Sequence, residues 1–217
     1  MSLNLTGKKL FLFDFDGTLV DTSQGIMASL NHTREHYGLS ALTFEQARQA
    51  IGRGLEVMLT DTLSERPDIE RAEAAQIYRA HHETHMYTGL KFYPGLLDFL
   101  ARLRLQKKLL GIVSNKHSYF IAKILAKLSC PVSFDIIVGA DTLPEHKPSP
   151  RPVLHACAQL GLNQTEAVLF GDSIYDTQAG RQAGVFTIGC AWGFNGLEPF
   201  QAEPPDFVIH HISEIII

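Results

Sequence analysis

The sequence predicts an α/β fold: a doubly wound, mostly parallel, Rossmann-like core sheet with an inserted helical cap domain after the first strand. Three observations predict it. Short, continuous apolar runs of strand length recur along the chain. Amphipathic helical patterns lie between them. The alternation is interrupted once, by a long stretch of helical character. Continuous apolar runs suit strands buried on both faces, and strands alternating with helices indicate a parallel sheet covered on both sides.

The strand runs are residues 10–13, 109–113, 134–138, 167–170 and 185–188, each β-branched or aromatic in character. Leu96, Phe99, Leu100 and Leu103 recur at i, i+3, i+4 and i+7, as do Ile121, Ile124, Leu125 and Leu128, which is the spacing of one buried helix face. Between Asp21 and Tyr93 no strand run stands out. This stretch reads as several helices punctuated by Gly38, Pro67 and Gly89, and Pro94-Gly95 marks the return to alternation. The expected organisation is a core domain of residues 1–20 and 91–217 and a helical unit of residues 21–90. No internal repeat or low-complexity segment is visible.

Composition narrows the function classes. With 217 residues, 45% hydrophobic and 19% charged, the chain has enough apolar material for a core and too little charge for a disordered segment. A formal charge of −4 argues against a general nucleic-acid binder, whose phosphate contacts need clustered Lys and Arg. Cys130, Cys157 and Cys190 are odd in number and widely spaced, so reduced thiols in a cytoplasmic protein are expected rather than a disulfide framework or a zinc site. No apolar run approaches the roughly 20 residues of a membrane span, and the N-terminal segment lacks signal-peptide character.

The chemistry-bearing residues gather at predicted strand ends. The first run leads into Asp14-Phe-Asp16-Gly17-Thr18, where two carboxylates stand two residues apart on an extended segment and Gly17 permits a tight turn. The run at 167–170 leads into Gly171-Asp172-Ser-Ile-Tyr-Asp176, with its acids one helical turn apart. The run at 109–113 leads into Ser114-Asn115-Lys116, and the segment after 134–138 reaches Lys147-Pro148. Ligands of open α/β sheets bind at the carboxyl ends of the strands. Four aspartates there would repel, since two unit charges about 4 Å apart cost on the order of 4 kcal/mol at an effective dielectric of 20. Lys147 alone does not balance them. An all-oxygen donor set selects a hard cation such as Mg2+.

These four segments, in this order, resemble the motifs of the haloacid dehalogenase superfamily of aspartyl-phosphate hydrolases, over nearly the whole chain. The resemblance implies that Asp14 is the nucleophile and Asp16 the general acid and base. It implies that Asp14, Asp16 (through its carbonyl), Asp172 and Asp176 serve the Mg2+ site. Ser114, Asn115 and Lys147 would hold the phosphoryl group, with Gly17 and Thr18 closing the backbone on it. Because Asp16 is present, phosphate hydrolysis is favoured over carbon–halogen cleavage. Residues 50–59 of the insertion, Trp192-Gly-Phe-Asn195 and residues 205–209 further resemble the phosphoglycolate phosphatase-like branch. The substrate expected is a small phosphorylated metabolite, with no nucleic-acid or membrane partner, for a monomer or homodimer. A phosphomutase, a pyrophosphatase or nucleotidase of the same superfamily, and a phospho-accepting signalling module are the alternatives. The large insertion and Asp16 argue against the last of these.

Two features of the insertion stand apart. Arg53, between two glycines, is either a contact for a substrate carboxylate or second phosphate, or a solvated arginine at a helix start. The cluster His81, His82, Glu83 and His85 does not match HExxH and reads as a polar helix face.

Overall fold

The structure, a computed structural model, describes residues 2–217. Along the chain come β1 (Leu3–Asn4), β2 (Leu10–Phe13) and β3 (Val20–Asp21). The helices α1 (Ser23–His36), α2 (Phe44–Ala47), α3 (Leu55–Thr62) and α4 (Arg71–His85) follow, and then β4 (Lys91–Phe92). Strands and helices alternate from there: α5 (Leu96–Leu105), β5 (Leu109–Val113), α6 (Ser118–Lys127), β6 (Ile136–Val138), α7 (Arg151–Gln159), β7 (Ala167–Gly171), α8 (Ile174–Ala183) and β8 (Phe186–Cys190). The last elements are α9 (Glu198–Ala202), β9 (Phe207–Ile209) and β10 (Ile215–Ile216).

The central sheet has six strands in the order β6-β5-β2-β7-β8-β9, every neighbouring pair parallel. Period-two alternation sorts β2 between the two faces. Phe11 and Phe13 join Leu96, Phe99, Leu100, Ile121 and Ile124 in one core layer. Leu10 and Leu12 join Val153, Ala156, Ala179 and Ala183 in the other. The sheet is thus buried on both sides, which is why its strands read as continuous apolar runs rather than as alternating ones. Phe13 stacks on Phe170 with ring centroids 4.8 Å apart, locking β2 to β7 in register.

From β2 the chain winds out through β5 to β6, then crosses back to β7 on the other side of β2. The strand order therefore reverses around β2. The segments leaving the carboxyl ends of β2, β5 and β7 diverge around the crevice that this reversal opens.

The helices between β3 and β4 have a core of their own, built from Ile26, Leu30, Met58, Leu59, Ala74 and Tyr78 among others. Helices α1 and α4 form its main packing pair. Inside it, the buried Arg34 guanidinium pairs with Glu65, its Nη2 lying 2.9 Å from Oε1. The expected absence of strands from Asp21 to Tyr93 needs correction. Val20–Asp21 and Lys91–Phe92 pair antiparallel, placing the two ends of the helical unit side by side. Two-residue strands carry too little periodicity to be read from a sequence.

Strand β9 was also not among the expected runs. At the other end of the fold, Ile215 and Ile216 pair in parallel with Leu3 and Asn4, while Ile212 and Ile215 are buried in the main core. The expected strand at 134–138 is shorter, Ile136–Val138. Its first part is used otherwise, because the Asp135 carboxylate accepts from the Leu110 amide (2.7 Å) and pairs with Arg104.

Candidate active site

Three aspartates converge where β2 and β7 end. Asp14, Asp172 and Asp176 are all buried, and each offers a carboxylate oxygen within 4.8 Å of the others. Asp14 follows directly on β2. Asp172 follows β7, and Asp176 lies in the first turn of α8. Local chemistry fixes Asp176. It forms a capping box with Ser173, accepting on Oδ2 from the Ser173 amide (3.1 Å) and hydroxyl (2.6 Å). Its other oxygen accepts from Lys147 Nζ at 2.5 Å. Asp172 accepts from the Thr18 hydroxyl (3.1 Å) and from the Phe194 amide (3.0 Å). Gly17, at φ +82°, and Gly193 both press on its carboxylate, and a Cβ at either position would overlap it.

Lys147 arrives from the loop after β6. Its side chain is 2% exposed and its Nζ lies 2.9 Å from Asp14 Oδ1. Burial opposes the ammonium charge, but Asp14 and Asp176 outweigh it and hold Lys147 above its ordinary pKa. Burial, reinforced by Asp14 and Asp176, pushes Asp172 well above the usual carboxylate range. The contact between Lys147 and Asp14 is an ion pair without hydrogen-bond geometry, so Asp14 Oδ1 has no hydrogen-bond partner among the described residues.

Asp16 stands beside this cluster rather than in it. Its Oδ1 accepts from the Thr22 hydroxyl at 2.6 Å, and Lys116 Nζ lies 3.2 Å from the same oxygen. With all four acids ionised, Asp14, Asp16, Asp172 and Asp176 against Lys116 and Lys147 would leave two negative charges over, the charge of one divalent cation. The donors are all oxygens, and a buried Asp14 oxygen accepts no hydrogen bond. The residues therefore fit a hard divalent ion, with Asp14, Asp172 and Asp176 gathered around its place.

Above the acids lies a cleft of ≈290 Å3 between the core and the helical unit. Asp14, Asp16, Ser114, Asn115 and Lys116 line it from the core; Arg53, Tyr78, Arg79 and His82 line it from the helices. Asn115 ties the two sides together. Its Nδ2 donates to the Gly52 carbonyl (3.1 Å) and to the Lys147 carbonyl (2.9 Å), and its Oδ1 accepts from the Lys147 amide (2.9 Å).

Residues 11–190 match the family model of the haloacid dehalogenase-like hydrolases. The chain belongs to that family. It is 34% identical over 208 residues to a phosphoglycolate phosphatase of Aquifex aeolicus, covering 96% of this chain and 95% of that protein. It is 33% identical over 217 residues to the pyrophosphatase PpaX of Bacillus velezensis, covering 98% of this chain and 97% of that protein. A haloacid dehalogenase-like hydrolase from Bacteroides fragilis superposes with a TM-score of 0.88 at 29% identity, over 95% of this chain and 99% of that one.

Within this family member, the expected site residues divide by position. Asp14, Asp16, Thr18, Ser114, Asn115, Lys147, Asp172 and Asp176 come together where β2, β5 and β7 end, with Gly17 against Asp172. The Asp16 side chain lies outside the acid cluster because Thr22 and Lys116 hold it. Arg53 reaches the cleft wall, but its guanidinium is paired with Asp61 and lies 5.8 Å from the Tyr175 ring centroid. The expected polar face of histidines needs correction. His82 is 2% exposed, with its Nδ1 3.0 Å from the Ser29 hydroxyl. His81, Glu83 and His85 keep the expected polar face, with His81 and His85 stacked at a centroid distance of 3.7 Å, so the correction concerns His82 alone.

Thr22, the Gly193-Phe194 backbone, Tyr78 and Arg79 were not foreseen in the site. Trp192-Gly-Phe-Asn195 did carry a signal through its resemblance to the branch. Nothing in the spacing of Tyr78 and Arg79 distinguishes them from other residues of a helix.

Proposed function

We propose that this chain is a Mg2+-dependent phosphatase acting on a small, phosphoglycolate-like phosphomonoester through an aspartyl-phosphate on Asp14. The observation that carries the reading is the pairing of two unlike carboxylates at the cleft floor. Asp14 is held only by its ion pair with Lys147 and receives no hydrogen bond on Oδ1, whereas Asp16 is oriented by the Thr22 hydroxyl and Lys116.

An Asp14 oxygen attacks phosphorus and the phosphorus–ester oxygen bond breaks. Asp16, which enters this step as the protonated acid, gives its proton to the departing alkoxide and becomes the carboxylate that pairs with Lys116. Asp16 then takes a proton from a water molecule, whose oxygen attacks the phosphoryl group, releasing phosphate and restoring Asp14. Ser114, the Asn115 amide and Lys147 hold the phosphoryl oxygens through both steps, with Gly17 and Thr18 shaping the backbone beneath. Asp14, Asp172 and the Asp16 carbonyl would hold Mg2+ with Asp176 behind them, and the bound ion supplies positive charge against the carboxylates and phosphoryl oxygens.

In this reading residues 21–90 are the cap over a core of residues 1–20 and 91–217, and the cap excludes water during the reaction. The names of the relatives favour phosphoglycolate, and the Bacillus velezensis relative supports pyrophosphate as the second substrate to test. No helix among the described residues is long and apolar enough to cross a membrane. The three free cysteines support a reducing, cytoplasmic setting.

The test is phosphate release across phosphoglycolate, pyrophosphate, nucleoside monophosphates and sugar phosphates, with Mg2+ and with EDTA. Metal-dependent release is expected, with phosphoglycolate ahead in kcat/KM. Asp14→Asn is expected to lower kcat by about 10^3-fold or more without lowering Tm, and to abolish acid-quench trapping of phosphorylated protein. Comparable turnover in that variant would overturn the nucleophile assignment.

A further inference from the structure

The cleft is lined by three long-chain cations with different commitments. Lys116 is paired with Asp16, its Nζ 3.2 Å from Oδ1, and Arg53 is paired with Asp61. Arg79, on α4, lines the same cleft, and its side chain has no hydrogen bond and no ion pair among the described residues. The cleft's other carboxylates leave it free: Glu56 makes no ion pair with it, and Asp141 is engaged by Ser118, whose hydroxyl lies 2.6 Å away.

The neighbours of Arg79 on α4 are held in place. Tyr78 and His82, one turn apart, are both buried and stack with centroids 5.2 Å apart. His82 is anchored to Ser29 at 3.0 Å and meets Phe120 of the core edge-on at 5.1 Å. The helix face is therefore set against the core, and an uncommitted guanidinium lines the cleft that Asp14 and Asp16 also line. A guanidinium presents a planar fork that matches carboxylates and phosphates, and it needs no deprotonation or rearrangement of partners to accept one.

We propose that Arg79, rather than Arg53, pairs with a second anionic group of the substrate, so that this enzyme selects phosphomonoesters or anhydrides bearing a carboxylate or second phosphate near the reacting phosphorus. The proposal rests on the phosphatase reading above. Arg53 would have to give up Asp61 to do the same work, whereas Arg79 gives up only solvent.

The test is calorimetric titration of wild type, Arg79→Ala and Arg79→Lys, with Mg2+ present, using compounds that are not hydrolysed. These are 3-phosphonopropanoate, propylphosphonate (the same chain with a methyl in place of the carboxylate) and imidodiphosphate. Wild type is expected to bind 3-phosphonopropanoate or imidodiphosphate about tenfold or more tightly than propylphosphonate. The tighter of the two identifies the second anion as a carboxylate or a phosphate. Arg79→Ala is expected to erase the preference, and Arg79→Lys to restore part of it.

No preference in wild type would overturn the proposal, as would a preference that survives in Arg79→Ala. An equal weakening of all three compounds in that variant would overturn it too, because it would show a general structural effect. Phosphate release by wild type is scored separately. A protein that prefers the compounds with two anionic groups but releases no phosphate from any ester would keep the Arg79 assignment and lose the phosphatase reading.

Discussion

His82 shows how much a single position depends on its surroundings. In sequence it is one of three histidines in five residues; in the fold it is sealed between Ser29, Tyr78 and Phe120. Burial, with Lys116 nearby, lowers its pKa from 6.5 to about 3, so the folded protein holds it neutral. The unfolded chain then binds a proton at His82 that the folded one does not. Its contribution favours the fold fully above about pH 6.5 and is lost as pH falls from there towards 3. Urea unfolding between pH 4.5 and 8 is expected to show wild type losing stability on acidification more steeply than His82→Gln. The difference in slope is at most about 1.4 kcal/mol per pH unit. Parallel pH profiles for the two proteins would show that His82 titrates normally. The acid residues lie at the other extreme of legibility. Asp14 with Asp16, and Asp172 with Asp176, stand out in the sequence as close acid pairs at the ends of two apolar runs, and the parallel pairing of β2 with β7 brings the two pairs to one end of the sheet.

At the scale of elements, ion pairs on two sides of the cleft add to the Asn115–Gly52 hydrogen bond in holding the helical unit against the core. On one side Arg48, which follows α2, reaches Asn195 (2.8 Å) and Glu198 (2.8 Å). On the other, Glu83 of α4 accepts from the Tyr119 hydroxyl (2.8 Å) and pairs with Lys123 of α6. Exposed pairs of this kind are individually weak. Under the cap reading they bias closure without preventing opening. The double variant Arg48→Ala/Lys123→Ala is therefore expected to raise KM by about two- to fivefold with kcat little changed, and to increase amide exchange in residues 50–56. A KM and exchange rate equal to wild type would remove these pairs from the closure equilibrium. The α5 and α6 faces were legible because each presents a full apolar stripe. The β3–β4 ribbon was not, because two residues per strand carry no period and its pairing joins positions that the whole helical unit separates.

At the scale of the whole molecule, the fold concentrates charge that only a ligand can offset. Asp14, Asp172 and Asp176 face one buried lysine, Lys147, and the metal-free cluster works against the folded state. Mg2+ that binds the fold and not the unfolded chain is expected to raise Tm. At a free concentration about 100 times Kd the gain is about 2.7 kcal/mol. Asp172→Asn removes an acid whose ionisation burial, Asp14 and Asp176 disfavour in the fold, and with it one donor. It is expected to have a higher Tm than wild type in EDTA and to lose most of the Mg2+-induced rise. Scanning calorimetry of both proteins with Mg2+ and with EDTA checks this, and an equal Mg2+ shift in the two would place the ion elsewhere.

The sequence by itself determined the α/β class, the order of the acids at the strand ends and the helical character of most of the stretch from Asp21 to Tyr93. These follow from local periodicity and from residues a few positions apart. Only the tertiary structure decided which charges are already paired. Arg53, between two glycines, stands out in the sequence and Arg79 does not, but Asp61 occupies the first and no described residue occupies the second. Asp16 has the same spacing logic as Asp14, yet Thr22 and Lys116 draw its side chain away from the acid cluster. Coulombic and hydrogen-bond partners act through space, over distances that sequence separation does not encode.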